Sequence, residues 1–242
     1  MKSLRLLLLQ ARESGDPMRD HEHECFVTRT GLGKTQIVTH DLLAGPPSIE
    51  EVRRYDGLLM GGSGEFLVSQ ANQPAFEPLM DMLREVVAHG HPTFAACYGF
   101  QAMVHALGGE VVYDPDNVEV GTFELELTDE AVEDELFRYL PRRFVAQQGH
   151  KDRAARLPEG FVHLASSERA PFQALRAPDV PVWAVQFHPE LDRDGNRMRY
   201  GHYLKNYAPD LTPEEFDEAM DLFEHSPEAS ELLGRFLNLV FG

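Results

Sequence analysis

The chain of 242 residues is predicted to fold as an α/β domain, with a mostly parallel central sheet flanked by helices and a helical C-terminal tail. Three observations predict it. Apolar runs of strand length alternate with longer amphipathic stretches as far as Leu107, the pattern of strands that return through crossover helices. The first of these runs, Leu6-Leu7-Leu8-Leu9, is continuous rather than alternating, as in strands buried on both faces. Hydrophobic residues make up 43% of the chain, enough for a sizeable core.

The elements follow in order. Residues 3–10 read as a first buried strand. Residues 16–30 are polar and fit either a helix or a loop over the sheet edge. Residues 36–41 form a second strand. Ser48, with Glu51 three positions on, makes a capping box that opens a short helix ending near Tyr55. Residues 57–65 are a third strand running into a glycine-rich loop. Phe76, Leu79, Met80, Leu83, Val86 and Val87 lay a helical stripe across 75–88, stopped by His89 and Gly90. A fourth strand leads to Cys97, and a helix over 101–107 ends at Gly108 and Gly109. Residues 110–113 and 118–127 read as strands, 131–140 as a short acidic helix, and 144–152 as a strand and loop. Further strands fall at 161–165, 172–175 and along the apolar run that begins at Val182. Beyond Asn196, residues Arg197 to Tyr207 suit a helix. Thr212-Pro213-Glu214-Glu215 opens another with a cap, an N1 proline and an acidic first turn. Residues 229–241 form a strongly amphipathic last helix. No repeat or low-complexity linker divides the chain. It is expected to be one domain, with a core over 1–195 and a helical extension over 196–242.

Composition narrows the classes of partner. A net charge of −18 argues against nucleic acid or an anionic membrane surface. Cys25 and Cys97, the two cysteines, suggest a reducing compartment without a disulfide framework. The run Leu6 to Leu9 is too short for a signal peptide and is followed by Gln10, Arg12 and Glu13. No apolar stretch approaches the roughly 20 residues of a membrane helix. A cytoplasmic protein is the expectation. His21-Glu22-His23-Glu24-Cys25 has metal-ligand residue types, but His21 and His23 diverge on a helix and no second cluster follows, so a solvated acidic face is the better reading.

Three stretches carry chemistry. In His91-Pro92-Thr93-Phe94-Ala95-Ala96-Cys97-Tyr98-Gly99-Phe100-Gln101 a strand turns abruptly into a helix at a cysteine. Such a turn lifts the side chain above the sheet edge, and the helix N-terminus behind it favours a thiolate. A small buried core thiol is the alternative. In Gln186-Phe187-His188-Pro189-Glu190, the proline should keep a histidine and a carboxylate extended and on one side. Glu190 then accepts from one ring nitrogen and leaves the other facing Cys97, the nucleophile–base–orienter arrangement. The loop Gly61-Gly62-Ser63-Gly64 can bring backbone N–H groups close to a ligand oxygen; without a P-loop lysine, an oxyanion hole suits it better than a phosphate cradle.

These residues resemble the class I glutamine amidotransferase family, whose nucleophile motif is of the type Gly-x-Cys-x-Gly-x-Gln and whose histidine and glutamate come from His-Pro-Glu. The resemblance is greatest to the glutaminase part of GMP synthetase and its free-standing relatives. It is good over about 50–192, with Ala95 standing where the family usually has glycine. It implies a flavodoxin-like fold, a Cys97–His188–Glu190 triad, and oxyanion N–H groups from Gly62 and Tyr98. Gly64 would sit beside the substrate and Gln101 lies in the motif. Gly149, His150 and Lys151 stand where the family lends contacts to the substrate's amino-acid end. His150 is also the rival catalytic base, without a carboxylate at the strand-end spacing. The implied reaction hydrolyses glutamine to glutamate and ammonia through a thioester, with no metal or organic cofactor. A separate synthetase subunit would accept the ammonia, since the tail is too short to be one. Otherwise the hydrolysis is used directly, as by γ-glutamyl peptidases of this fold. An α/β-hydrolase with a cysteine elbow is disfavoured because its acid precedes its histidine, and a silent binding module because no triad member is missing.

Overall fold

The computed structural model describes residues 4–207 and 211–242. The first strand, β1 (Leu6–Ala11), is wholly buried; Ser3, expected to begin it, lies outside the described residues. The polar stretch that follows is helical as α1 (Met18–Thr30) and stops at Gly31, whose left-handed backbone suits a residue without a Cβ. β2 (Ile37–Asp41) is next, then α2 (Ile49–Val52), where the Ser48 hydroxyl accepts from the Glu51 N–H. β3 (Gly57–Ser63), α3 (Phe76–Ala88), β4 (Thr93–Ala96) and α4 (Tyr98–Ala106) complete the alternating half.

Four parallel pairings order this half β2-β1-β3-β4, with the late strand β11 (Val182–Val185) beside β4. On one face α2, α3 and α4 bury Val52, Leu79, Leu83, Phe100 and Met103 against Leu7, Leu9, Leu58 and Met60. On the other, Phe26 of α1 and the last helix cover Leu6, Leu8, Leu59 and Phe94. The odd and even positions of β1 therefore feed different cores, which is why its leucine run is unbroken.

The middle of the chain extends the sheet. β6 (Glu119–Leu127), β7 (Arg143–His150), β9 (Val162–Ser166) and β10 (Ala174–Arg176) add an antiparallel run, β10-β9-β6-β7, beyond β11. β5 (Glu110–Tyr113) and β8 (Asp152–Arg156) pair separately. The helix expected over 131–140 is only α5 (Asp129–Glu133). Asp134 ends it by adopting an extended backbone while its carboxylate accepts the N–H groups of Leu136 and Phe137 at 2.9 Å and the Trp183 indole N–H. A local side-chain acceptor outcompetes the helix ladder there.

α6 (Arg193–Tyr207) packs on β6 and β7, so the boundary drawn at residue 195 falls inside a helix. α7 (Pro213–Met220) has the expected reciprocal capping box between Thr212 and Glu215. The final amphipathic stretch is two pieces, α8 (Pro227–Ser230) and α9 (Leu232–Phe241). Phe236 of α9 meets Phe94 and Trp183 edge-on, which docks the chain end on the sheet.

Candidate active site

The C-terminal ends of three neighbouring parallel strands, β3, β4 and β11, meet at one edge, the usual place for a site in an α/β sheet. Gly62 lies near the end of β3, Cys97 follows β4, and His188 follows β11. Cys97 is the turn between β4 and α4. Its backbone, at φ 52° and ψ −105°, lies where a side chain is strained. The surroundings over-determine this geometry: the Cys97 N–H donates to the Val185 carbonyl at 2.8 Å, and its own carbonyl accepts from Gln101 N–H at 3.0 Å to start α4. Gly99 lets the helix descend onto the sheet, because a Cβ there would lie 2.9 Å from Met60 Cγ and 3.1 Å from the Ala95 Cβ. Ala95, the departure from the family motif, thus fits beneath a glycine.

The His188-Pro189-Glu190 segment is not extended as expected. β11 ends at Val185, and the Leu191 N–H closes a turn on the His188 carbonyl at 3.2 Å. The turn still sets both side chains on one side, with His188 Nδ1 2.8 Å from Glu190 Oε1. A backbone bond from His188 N–H to the Gln147 carbonyl, 2.9 Å, ties the segment to β7. Cys97 stands beside the ring, with its sulfur 3.8 Å from the Gly149 carbonyl. A Cβ on Gly62 would stand 3.0 Å from His188 Cε1 and 3.8 Å from Cys97 Cβ, so that backbone presses directly on the pair.

Burial alone would drive the His188 ring neutral, but the neighbouring charges of Glu190 and Cys97, with the hydrogen bond to Glu190, raise its pKa to about 9. Glu190 is the converse: burial pushes it up, and His188 together with Arg199 pull it down to about 2. Both shifts favour the charged pair, a cationic ring on a carboxylate anion.

Beside Cys97 opens a cavity of about 320 Å3 lined by Ser63, Gly64, Phe66, Cys97, Tyr98, Gln101, Gly149, His150 and Lys151, among others. All five residues expected at the substrate line it. Two are committed to the wall. Gln101 donates both amide N–H groups, to the Asp152 carbonyl (2.9 Å) and Gln186 Oε1 (3.1 Å). His150 has Nδ1 3.0 Å from the Asp152 carbonyl and Nε2 2.9 Å from buried Glu119. With both ring nitrogens against acceptors and a carboxylate of its own, His150 is braced in the cavity wall. Lys151 is partly buried, and burial lowers its pKa.

The sequence reading missed the charged shell behind the site. Arg199 of α6 reaches Glu190 Oε1 with Nη1 at 2.9 Å. Arg12, just past β1, donates to Glu22 at 3.0 Å and to the Tyr203 hydroxyl at 2.6 Å. Glu22 also takes Gln10 Nε2 at 3.0 Å, and a Cβ at Gly61 would run into its carboxylate. Asn196, Arg199, Tyr200 and Tyr203, all buried, repeat at i, i+3, i+4 and i+7. That stripe was readable, but its polar residues hid it from a hydrophobic pattern. The acidic histidine-rich segment resolves as well: Glu22 points inward, His23 Nε2 meets the Ile37 carbonyl at 2.9 Å, and His21 lies against Cys25. Among the described residues, no three His, Cys, Asp or Glu side chains are grouped to hold a metal ion, and no helix is long and apolar enough to cross a membrane.

An α/β sheet with a strained cysteine elbow, a histidine–glutamate pair and a glycine loop at one edge defines a class of cysteine-centred sites. The comparisons say which. The glutamine amidotransferase class-I model matches residues 33–202, and the chain belongs to that family. It is 29% identical over 196 residues to a GMP synthase [glutamine-hydrolyzing] of Shewanella pealeana, covering 74% of this chain and 36% of that one. It is 35% identical over 152 residues to its counterpart in Thermosipho melanesiensis, covering 62% and 28%. The chain thus spans about a third of the length of the curated relatives it matches. A glutamine amidotransferase structure from Thermotoga maritima superposes with TM-score 0.73 at 18% identity over the whole of both chains. One from Methylobacillus flagellatus does so with 0.64 at 22%, covering 99% of this chain and 90% of that one. These structures share its fold, a mostly parallel sheet between helices with a helical C-terminal segment.

Proposed function

We propose that the protein hydrolyses a γ-glutamyl amide, with free glutamine as substrate, through a thioester on Cys97. The observation that carries this reading is Cys97, in the wall of the cavity, set beside the buried and hydrogen-bonded His188–Glu190 pair. The Cys97 sulfur attacks the side-chain carbonyl carbon, and the oxyanion that forms is held by backbone N–H groups of Gly62 and Tyr98. Tyr98 is the first residue of α4, so its N–H has no partner within the helix. Collapse of the tetrahedral intermediate breaks the C–N bond as the His188 imidazolium gives its proton to the leaving nitrogen, releasing ammonia. The ring, now neutral, takes a proton from water; the resulting hydroxide adds to the thioester carbonyl, and the sulfur leaves to free glutamate. Glu190 keeps the ring oriented and supports its charge.

The cavity is also lined by Gly64, Gly149 and Lys151, which would contact the substrate's amino-acid end. The relatives' names support glutamine as the amide and a synthetase, as a separate subunit or domain, as the consumer of ammonia. We read the chain as one cytoplasmic domain supplying that ammonia. The test is ammonia release from glutamine and from a panel of γ-glutamyl peptides by purified protein, with Cys97→Ser as control. Glutamine turnover that Cys97→Ser abolishes supports the reading. Turnover of peptides alone replaces the substrate, and none of either by a folded sample overturns the activity.

A further inference from the structure

We propose that Arg199, delivered by α6, is a positioning residue for this reaction: its guanidinium balances the Glu190 carboxylate and holds it on the His188 ring. The inference takes the roles of Cys97 and His188 from the reading above.

The observation is a ledger of buried charge. Two guanidinium groups, Arg12 and Arg199, and two carboxylates, Glu22 and Glu190, are all at least nine-tenths buried. Arg12 pairs with Glu22 at 3.0 Å and Arg199 with Glu190 at 2.9 Å, while Arg199 Nη2 also stands 4.0 Å from Glu22. The four sum to zero, so these two ion pairs add no net charge beside the thiol and imidazole. Without Arg199 the set carries a net negative charge next to the ring, in a region too dry to screen it.

Geometry makes the effect specific. Glu190 Oε1 accepts from both His188 Nδ1 and Arg199 Nη1, at 2.8 and 2.9 Å, and the guanidinium lies only 3.4 Å from Nδ1. Glu190 Oε2 has no hydrogen-bond partner among the described residues, so the oxygen that orients the ring is the one the arginine grips. The cation pins the carboxylate and also opposes the charging of the ring beside it. Among the described residues, the charged and titratable groups nearest the imidazole are Glu190 from its own turn, Cys97 from the elbow, and Arg199, Tyr200 and Tyr203 from α6. Arg12 after β1 and Glu22 and His21 from α1 stand behind them, and β7 contributes the Gln147 carbonyl. α6 has other anchors: Asn196 donates to the Gln147 side chain and the Gln148 carbonyl, and Tyr203 binds Arg12. Docking of the helix therefore does not depend on the Arg199 charge.

The test is the pH profile of Cys97 alkylation by iodoacetamide, scored by peptide mass mapping, in wild type, Arg199→Gln, Arg199→Met and Arg199→Lys. Cys25 gives little background, since burial pushes its thiol up to about 12. In both neutral variants the profile is expected to move to higher pH by about half a pH unit or more, with Arg199→Lys returning toward wild type. With glutamine, kcat should fall about tenfold at little change in KM, as when orientation rather than binding is lost. Folded neutral variants whose alkylation profile overlays that of wild type overturn the proposal. Should neither neutral variant fold, Arg199→Lys decides: a profile matching wild type supports the charge role, and a displaced one overturns it. Alkylation needs no substrate, so a wild-type protein inert toward glutamine would sink the function above and leave this question answerable.

Discussion

The elbow and the ionic shell hold reactive groups by opposite means. At Cys97 the position is set by covalent geometry and close packing: a strained turn, a glycine under the helix and the Cys97 N–H bonded to β11. At His188 the position is set by charge, through Glu190 and Arg199. The first device centres on residues 95–99, backed by Met60 of β3 and Val185 of β11. The second ties the turn at His188 to Glu190 to Arg199 of α6, with Arg12 and Glu22 behind it, and exists only once α6 has docked. Packing fixes where the sulfur stands, and charge fixes whether its partner carries a proton.

The largest effects should come from deleting one member of either region. Cys97→Ser and His188→Ala are each expected to lower kcat by about 10^4-fold or more, with circular dichroism and Tm close to wild type. A Cys97→Ser protein of near-normal activity would dissolve the comparison, since the elbow would then hold nothing reactive. Gly62→Ala places a methyl group against the imidazole and should reduce kcat by about 10- to 100-fold. The measurement is steady-state kinetics on a folded sample, and unchanged kcat would mean that the glycine loop is only a loop.

Gly99→Ala probes packing alone. The added methyl meets Met60 and Ala95 and should destabilise the fold by about 1–3 kcal/mol, read as a lower urea midpoint. The gentlest probe is pH. The His188 pKa is raised, so the charged ring, and whatever stability or activity depends on it, is present below about 9 and lost as pH rises through that value. Glu190 is depressed to about 2 and stays ionised throughout. An alkaline limb of kcat/KM near pH 9 is expected, and one near 6.5 would show that the ionic shell does not support the ring.

What was legible in the sequence follows the same division. The elbow, the glycine loop and the His-Pro-Glu turn are short-range patterns, and residue type with spacing was enough to pick them out. The leucine run of β1 and the stripe of α3 announced their burial for the same reason. Arg12, Glu22 and Arg199 were not legible, because a buried ion pair looks like solvated surface until its partner is known. Asp134 misled in another way: its acidic neighbours suit a helix, and only its capture of two N–H groups and an indole shows why the helix stops. The extended conformation expected of His188 to Glu190 missed that a proline also fits a turn.

The most direct measurement is rapid-quench mass spectrometry of the protein mixed with glutamine. A mass increase of one glutamyl group, mapped to Cys97, formed and lost at rates matching ammonia release and missing in Cys97→Ser, is the expected result. Steady ammonia release with Cys97 unmodified throughout would contradict it.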